Sequence, residues 1–183
     1  GLDLDRLAAA LAAADAVAVG EIGLDLAVDG ADLERQQAVL EAQLGLAVDL
    51  KMPVILPCRQ AHEELLGVLE RFAPGLRGVV HAYSRGPELA HRFLRLGFVL
   101  GIGGAVTRSR ARRVRRTVEV VPLDRLVLET DAPSIGLEGV PPEAVEPRHV
   151  ADIATVIAGL RGVAADEVAR RTTGAAHELF GPL

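Results

Sequence analysis

The amino-acid sequence predicts an α/β fold of the TIM-type (β/α) barrel class, with about five parallel strands. Short apolar runs alternate with longer segments whose apolar residues recur at the spacing of amphipathic helices. Acidic or imidazole side chains follow three of the runs, at Glu21, His81 and Asp131. Because the carboxyl ends of barrel strands line the active site, this placement favours a barrel over a doubly wound sheet.

The first half of the chain predicts helices and strands in alternation. Leucines on one stripe mark the helices, and short runs rich in valine and isoleucine mark the strands. The predicted elements are a helix over 2–14, a strand over 16–20, a helix over 33–48, a strand over 53–56 and a helix over 62–72. Strands separated by helices are expected to be parallel.

The second half continues the alternation and then changes to helices. A proline-rich loop over 132–147 separates the last strand from the C-terminal helices. The predicted elements are strands over 78–80, 98–102 and 126–128, a helix over 89–96, an Arg-rich helix after Thr107, and helices over 150–160, 165–172 and 173–179. The five strands should therefore end near Glu21, Pro57, His81, Gly103 and Asp131.

The composition is that of a globular protein and excludes several classes. The 183 residues are predicted to form one domain over 1–183, half of it apolar and with 3% aromatic residues. A net charge of −5 excludes a uniformly basic surface but permits a local basic patch. The single cysteine, Cys58, excludes a disulfide framework, and we expect a cytoplasmic protein without signal peptide or membrane span.

The three strand-end residues point to metal chemistry. Two carboxylates and one imidazole that converge on a pocket are suitable ligands for a divalent ion. Each of Glu21, His81 and Asp131 taken singly could instead be a capping or solvated residue. A nucleotide-binding site is the weaker alternative, because Gly101, Gly103 and Gly104 are not followed by a phosphate-binding lysine.

Several motifs along the whole chain are similar to those of one family. Residues 20–25 (Gly-Glu-Ile-Gly-Leu-Asp), 78–84 (Gly-Val-Val-His-Ala-Tyr-Ser), 101–104 (Gly-Ile-Gly-Gly) and 122–133, which ends in Glu-Thr-Asp-Ala-Pro, occur in family order and spacing. The chain therefore resembles the TatD-related deoxyribonucleases.

The resemblance implies a metal-dependent hydrolase with an amidohydrolase-like barrel that cleaves phosphodiester bonds in DNA. It implies two divalent ions (Mg, Mn or Zn), with Glu21 as the bridging ligand, His81 on one ion and Asp131 on the other. Asp131 would also take a proton from the attacking water, which makes Glu21 and Asp131 the catalytic residues. Arg59 matches a family arginine suited to bidentate phosphate contact.

Two departures from the family pattern put activity in question. The family begins with a strand carrying His-x-His and a second strand carrying Gly-x-His-Pro, and this sequence begins after both. The strand over 53–56 should end in a histidine ligand, but Pro57 stands there. We therefore expect a barrel incomplete at its N-terminus, doubtful metal occupancy, impaired activity and an exposed sheet edge open to association.

Some functions remain open at this point. The alternatives are a catalytically inactive barrel remnant that acts as a binding module, or a hydrolase of another small ester. His62, His149 and Cys58 are weaker candidates for a replacement ligand. The arginines over 108–116 favour a solvated helix face, with Arg108, nearest the strand end, as the candidate phosphate contact.

Overall fold

A computed structural model describes residues 2–182 and shows alternating strands and helices. The helices are α1 (Leu4–Ala13), α2 (Leu33–Asp49), α3 (His62–Phe72), α4 (Pro87–Arg95), α5 (Arg112–Val120), α6 (Val150–Arg161) and α7 (Ala165–Phe180). The strands are β1 (Leu24–Asp25), β2 (Val54–Leu56), β3 (Cys58–Arg59), β4 (Gly78–Val80), β5 (Val99–Ile102) and β6 (Leu126–Leu128). The predicted alternation is confirmed.

The central sheet is parallel and has the order β2-β4-β5-β6. Its register pairs Val54 with Gly78, Val80 with Leu100, and Leu100 with Leu126. Strands β1 and β3 form a separate parallel pair. Consecutive strands that are neighbours and parallel, each joined through a helix, are the arrangement of a (β/α) barrel wall.

The predicted strand over 16–20 is wrong as a full strand. It is reduced to one parallel bridge between Val19 and Val54, in which Val19 N–H donates to Pro53 O at 2.9 Å. Val17 is 53% exposed, so the run gains little burial that would extend the pairing. The bridge still places Glu21 beside the carboxyl end of β2, at the edge of the described sheet.

Both faces of the sheet are covered. Val80, Leu100 and Leu126 belong to the main core, which is shared with the helices. The alternate residues Val79, Val99 and Val127 face the other side, where Ala175 and Leu179 of α7 pack against them. The end of α7 lies near the amino ends of the strands, since Arg77 donates to Glu178 O at 3.3 Å. The opposite, carboxyl edge of the sheet is left free for a site.

The C-terminal prediction needs one correction. The helices predicted over 165–172 and 173–179 are one continuous helix, α7. Thr172 does not interrupt it, because its hydroxyl donates to Val168 O within the same helix at 2.9 Å. Among the described residues, no helix combines the length and the apolar character that crossing a membrane requires.

Candidate metal centre

The candidate site lies at the carboxyl edge of the sheet, where backbone bonds continue beyond the strands. His81 N–H donates to Leu56 O at 2.9 Å, directly after β4 ends. Glu129 N–H donates to Ile102 O at 3.2 Å, directly after β6 ends. These bonds hold the residues that follow each strand in sheet-like register, so their side chains face the same space.

Glu21, His81 and Asp131, here called the acid–imidazole cluster, come together as the sequence predicts. His81 Nε2 lies 3.7 Å from Glu21 Oε1 and 3.9 Å from Asp131 Oδ1. The exposed fractions of the side chains are 13% for His81, 33% for Asp131 and 55% for Glu21. The imidazole is therefore held inside, and the two carboxylates border the solvent.

Glu129 is a site residue that the sequence reasoning missed. Its Oε2 lies 2.9 Å from His81 Nδ1, and its Oε1 accepts a hydrogen bond from Ala82 N–H at 2.6 Å. Room for this carboxylate exists because Gly101 of β5 has no side chain: a Cβ there would lie 2.7 Å from Glu129 Cδ. The available signal was spacing, since Glu129 and Asp131 are two residues apart and side chains alternate along an extended chain.

The contact with Glu129 also sets the charge behaviour of His81. The hydrogen bond to Glu129 raises the pKa of His81; burial opposes it, and the charges of Glu129, Glu21 and Asp131 add to it. When the ring is neutral and its proton is on Nδ1, toward Glu129, Nε2 carries a lone pair that faces Glu21 and Asp131. Histidines that bind metals are commonly oriented by such a carboxylate on the other ring nitrogen.

The donor types of the cluster, two carboxylates and one imidazole, suit a divalent ion, but the side chains are not positioned as a complete metal site. Metal bonds to nitrogen and oxygen of about 2.0–2.2 Å put tetrahedral ligands about 3.4 Å apart, slightly closer than the separations in the cluster. Among the described residues, no group of three His, Cys, Asp or Glu side chains lies close enough together to hold a metal ion as placed. Binding of one ion therefore requires the side chains of the cluster to move closer together, and a second ion lacks its own ligands among the described residues.

Two adjoining cavities flank the acid–imidazole cluster. The larger, of about 540 Å³, is bordered by Glu21, His81 and Asp131 together with Pro57 and Arg59. The smaller, of about 310 Å³, is lined by Tyr83, Arg108, Glu129 and Asp131 among others. Ala82, Ser84, Asp131, Ser134 and Ile135 border both cavities. A substrate that reaches Asp131 can therefore extend in either direction.

The two arginines predicted to contact phosphate border different cavities. Arg59 borders the larger cavity, where its Nη1 pairs with Asp25 Oδ2 at 2.9 Å and the side chain is 64% exposed. Arg108 borders the smaller cavity, where its Nη2 donates to Gly136 O at 3.0 Å. Each guanidinium uses part of its donors within the protein and keeps others toward the cavity.

The weaker candidates for a replacement ligand do not join the cluster. Pro57 borders the larger cavity without a lone pair to offer. Cys58 borders it as well, but burial raises the pKa of its thiol to about 11, so the thiol stays protonated. His62 begins α3 and borders neither cavity, and His149 Nδ1 accepts a hydrogen bond from Glu146 N–H at 2.8 Å.

The parallel sheet, with acids and an imidazole at the carboxyl ends of its strands, is the architecture of the metal-dependent hydrolase barrels. Residues 2–181 match the family described as TatD related DNase. The chain therefore belongs to the TatD family, and the resemblance found in its motifs is confirmed.

Relatives with curated names support the same assignment. The chain is 41% identical over 167 residues to the "uncharacterized metal-dependent hydrolase YjjV" of Escherichia coli, covering 91% of this chain and 64% of that protein. It is 37% identical over 172 residues to the "3'-5' ssDNA/RNA exonuclease TatD" of Pantoea vagans, covering 91% and 66%. The chain thus spans slightly less than two thirds of the length of these relatives.

Solved structures confirm the fold. The crystal structure of the YjjV TatD homologue from Escherichia coli superposes with a TM-score of 0.91 at 40% identity, covering 98% of this chain and 70% of that one. A TatD family hydrolase from Entamoeba histolytica gives a TM-score of 0.83 at 22% identity, covering 98% and 69%, and supports the fold alone. The predicted TatD-like barrel class is confirmed.

Proposed function

We propose that this chain is a metal-dependent hydrolase of phosphodiester bonds in DNA, whose described residues hold one divalent ion and support slow turnover. The observation that carries the proposal is the direction of His81: Nδ1 is held by Glu129, and Nε2 faces Glu21 and Asp131. Membership of the TatD family supports the reaction class, and several relatives carry the name 3'-5' ssDNA/RNA exonuclease.

The residues of the cluster have distinct tasks in this proposal. A bound divalent ion supplies Lewis acidity and lowers the pKa of a water molecule. Glu21 and Asp131 offer carboxylate oxygens, and His81 offers Nε2. Asp131 borders both cavities and is one-third exposed, so its second oxygen can accept the proton of an attacking water. Arg59 and Arg108 balance phosphate charge on the two sides.

The limit on turnover follows from the number of donors. In-line displacement with two ions stabilises both the attacking and the leaving oxygen. The described residues bring three ligands to one place, and Pro57 contributes none at the position where the family pattern has a histidine. We therefore propose that this chain cleaves DNA far more slowly than a relative with a full ligand set.

Cleavage of end-labelled single-stranded DNA with manganese or magnesium tests the proposal. Slow cleavage should be abolished in Asp131→Ala. It should persist in Asp49→Ala, which removes an exposed carboxylate at the end of α2 that borders neither cavity of the site. The Pantoea vagans exonuclease, assayed beside it, should be much faster. Cleavage that survives Asp131→Ala, or a rate equal to that of the relative, would contradict the proposal.

A second function is favoured by Pro57. If the missing donor prevents turnover altogether, the chain binds DNA or another partner without cleaving it. Isothermal titration with manganese, combined with the cleavage assay, distinguishes the binding module from the slow hydrolase. Ion binding that depends on Asp131, without any cleavage, supports the binding module, whereas ion binding with cleavage that depends on Asp131 supports the hydrolase.

A further inference from the structure

A third cavity, of about 320 Å³, is lined by three arginines from two separate elements. Arg85 lies in the loop before α4, and Arg113 and Arg116 lie on α5. The two helical arginines are three residues apart and therefore share one face of α5. We call this space the arginine cavity; of the acidic side chains, only Glu88 is among its lining residues.

The three arginines of the arginine cavity form no close ion pair within the described residues. Arg92, on the neighbouring α4, pairs with Glu63 at 2.6 Å, whereas none of Arg85, Arg113 and Arg116 has a carboxylate oxygen within 4.0 Å in residues 2–182. The pKa of His62 is lowered mainly by burial of its side chain, and the charge of Arg85 is the second cause. Three guanidiniums with one carboxylate give the cavity lining a net positive charge, which attracts anions.

The backbone around the cavity is held without help from the guanidiniums. The buried hydroxyl of Thr117 lies 2.8 Å from Arg85 O and 3.2 Å from Arg113 O, so it joins the loop to α5. Tyr83 OH donates to Gly86 O at 2.6 Å and fixes the other end of the loop. The arginines thus extend from two segments whose relative position is set, as a preorganised binding site requires.

The arginine cavity is continuous along the chain with the acid–imidazole cluster. Ser84 borders both cavities that flank the cluster, and Arg85 is the next residue. His81 begins the same segment, immediately after β4. The loop after β4 therefore contributes residues to the cluster, to the two cavities beside it and to the arginine cavity.

We propose that Arg85, Arg113 and Arg116 bind a backbone phosphate of single-stranded DNA whose scissile phosphate lies at the acid–imidazole cluster. This inference rests on the proposed function, because a single strand carries repeating phosphates and can occupy two anion sites that share one loop. Guanidinium forks match phosphate oxygens in bidentate geometry. A single strand is flexible enough to turn from one cavity into the next, and its bases remain free to stack.

Salt dependence of DNA binding tests the arginine cavity directly. The triple variant Arg85→Gln, Arg113→Gln and Arg116→Gln is compared with a control triple, Arg95→Gln, Arg112→Gln and Arg170→Gln. The control removes the same charge from exposed arginines that do not line the cavity. Binding of a fluorescent oligodeoxythymidylate is measured by anisotropy over a salt series, and thermal melts check that both variants are folded.

The two triples should give different slopes. Each lost phosphate contact should lower the slope of log K against log salt by about 0.7, and should weaken binding about fivefold at about 0.1 M salt. The control should keep the wild-type slope. Equal slopes for the two triples would overturn the proposal, and so would an acidic phosphopeptide that requires the three arginines when DNA does not.

Cleavage of a thymidine dinucleotide separates this inference from the proposed function. A dinucleotide has one phosphate, which occupies the cluster when the bond is cleaved, so none is left for the arginine cavity. The triple variant should therefore cleave the dinucleotide at the wild-type rate and cleave a longer strand more slowly. Equal loss on both substrates would overturn the arginine site. Absence of any cleavage dependent on Asp131 in the unmodified chain, with the slope difference present, would instead overturn the proposed function alone.

Discussion

His81 Nδ1 lies 2.9 Å from Glu129 Oε2, and this contact decides which nitrogen of the imidazole faces the acid–imidazole cluster. Glu129 is held in turn by Ala82 N–H at 2.6 Å. The carboxylate therefore links the end of β6 to the segment after β4, across the carboxyl edge of the sheet. His81 is oriented by a residue that itself needs no contact with an ion.

Glu129→Gln should weaken divalent-ion binding by about 10- to 100-fold, the usual cost of removing such a supporting carboxylate. The amide has the same shape, but it lacks the charge that raises the pKa of His81 and makes Nε2 a better donor. Calorimetric titration with manganese measures the change. The control Glu143→Gln removes an exposed carboxylate from the loop after β6 and should bind like wild type.

Gly101→Ala should destabilise the fold by about 1–3 kcal/mol, because the new Cβ would overlap the Glu129 carboxylate. It should also weaken manganese binding, since Glu129 must move away from His81. Gly159→Ala is the matched control: Gly159 is exposed within α6, with open space around it. That change should stabilise by about 0.5–1 kcal/mol. Urea denaturation measures both, and unchanged manganese binding in Gly101→Ala would contradict the steric argument.

Pro57→His should strengthen binding of one divalent ion, because it adds an imidazole to the cavity that contains Glu21, His81 and Asp131. Pro57→Ala controls for the loss of the proline ring. Cleavage of single-stranded DNA should rise little, since ligands that act as a unit do not restore activity one at a time. Tight binding of two ions by the unmodified chain would contradict a site limited to Glu21, His81 and Asp131.

The stability of the chain should depend on His62 in the acidic range. Burial, with the charge of Arg85, lowers the pKa of His62 below its ordinary value of 6.5. The unfolded chain then binds more protons than the folded one just below pH 6.5, so stability falls as the pH falls toward the folded pKa. His62→Gln should flatten this decline.

Urea denaturation over a pH series tests the role of His62. The pKa of His81 is shifted in the opposite direction. Because His81 is present in both wild type and His62→Gln, its contribution to stability cancels in the comparison. His91→Gln, an exposed histidine on α4, should follow wild type. A steeper decline in His62→Gln than in wild type would contradict the predicted sign.

Self-association should depend on the sheet edge at Val19. The segment there bonds to β2 on one side, and the neighbouring Val17 is 53% exposed. Exposed edges pair with other chains unless charges oppose it. Val17→Lys should shift sedimentation toward the monomer, whereas Val120→Lys, an equally exposed valine at the end of α5, should not.

Local pattern predicted the elements closely where periodicity was strong. The helix predicted over 62–72 is α3 (His62–Phe72), and the strand predicted over 126–128 is β6 (Leu126–Leu128). The pattern failed for 16–20, where an apolar run forms one bridge. A strand forms where a neighbouring strand can pair with its backbone and its side chains are buried. An apolar run in the sequence does not show whether such a neighbouring strand is present.

The sequence by itself determined which residues follow the strands, and therefore that Glu21, His81 and Asp131 share one edge. Parallel strands place their carboxyl ends together whatever the details of packing. Only the tertiary structure decided that Glu129 orients His81, a contact across 48 positions of the chain. It likewise brought Arg85 to the arginines of α5 through Thr117. The periodicity of apolar residues in the sequence indicates which face of a helix or strand is buried. Contacts between segments distant in the sequence depend instead on how those faces pack against one another.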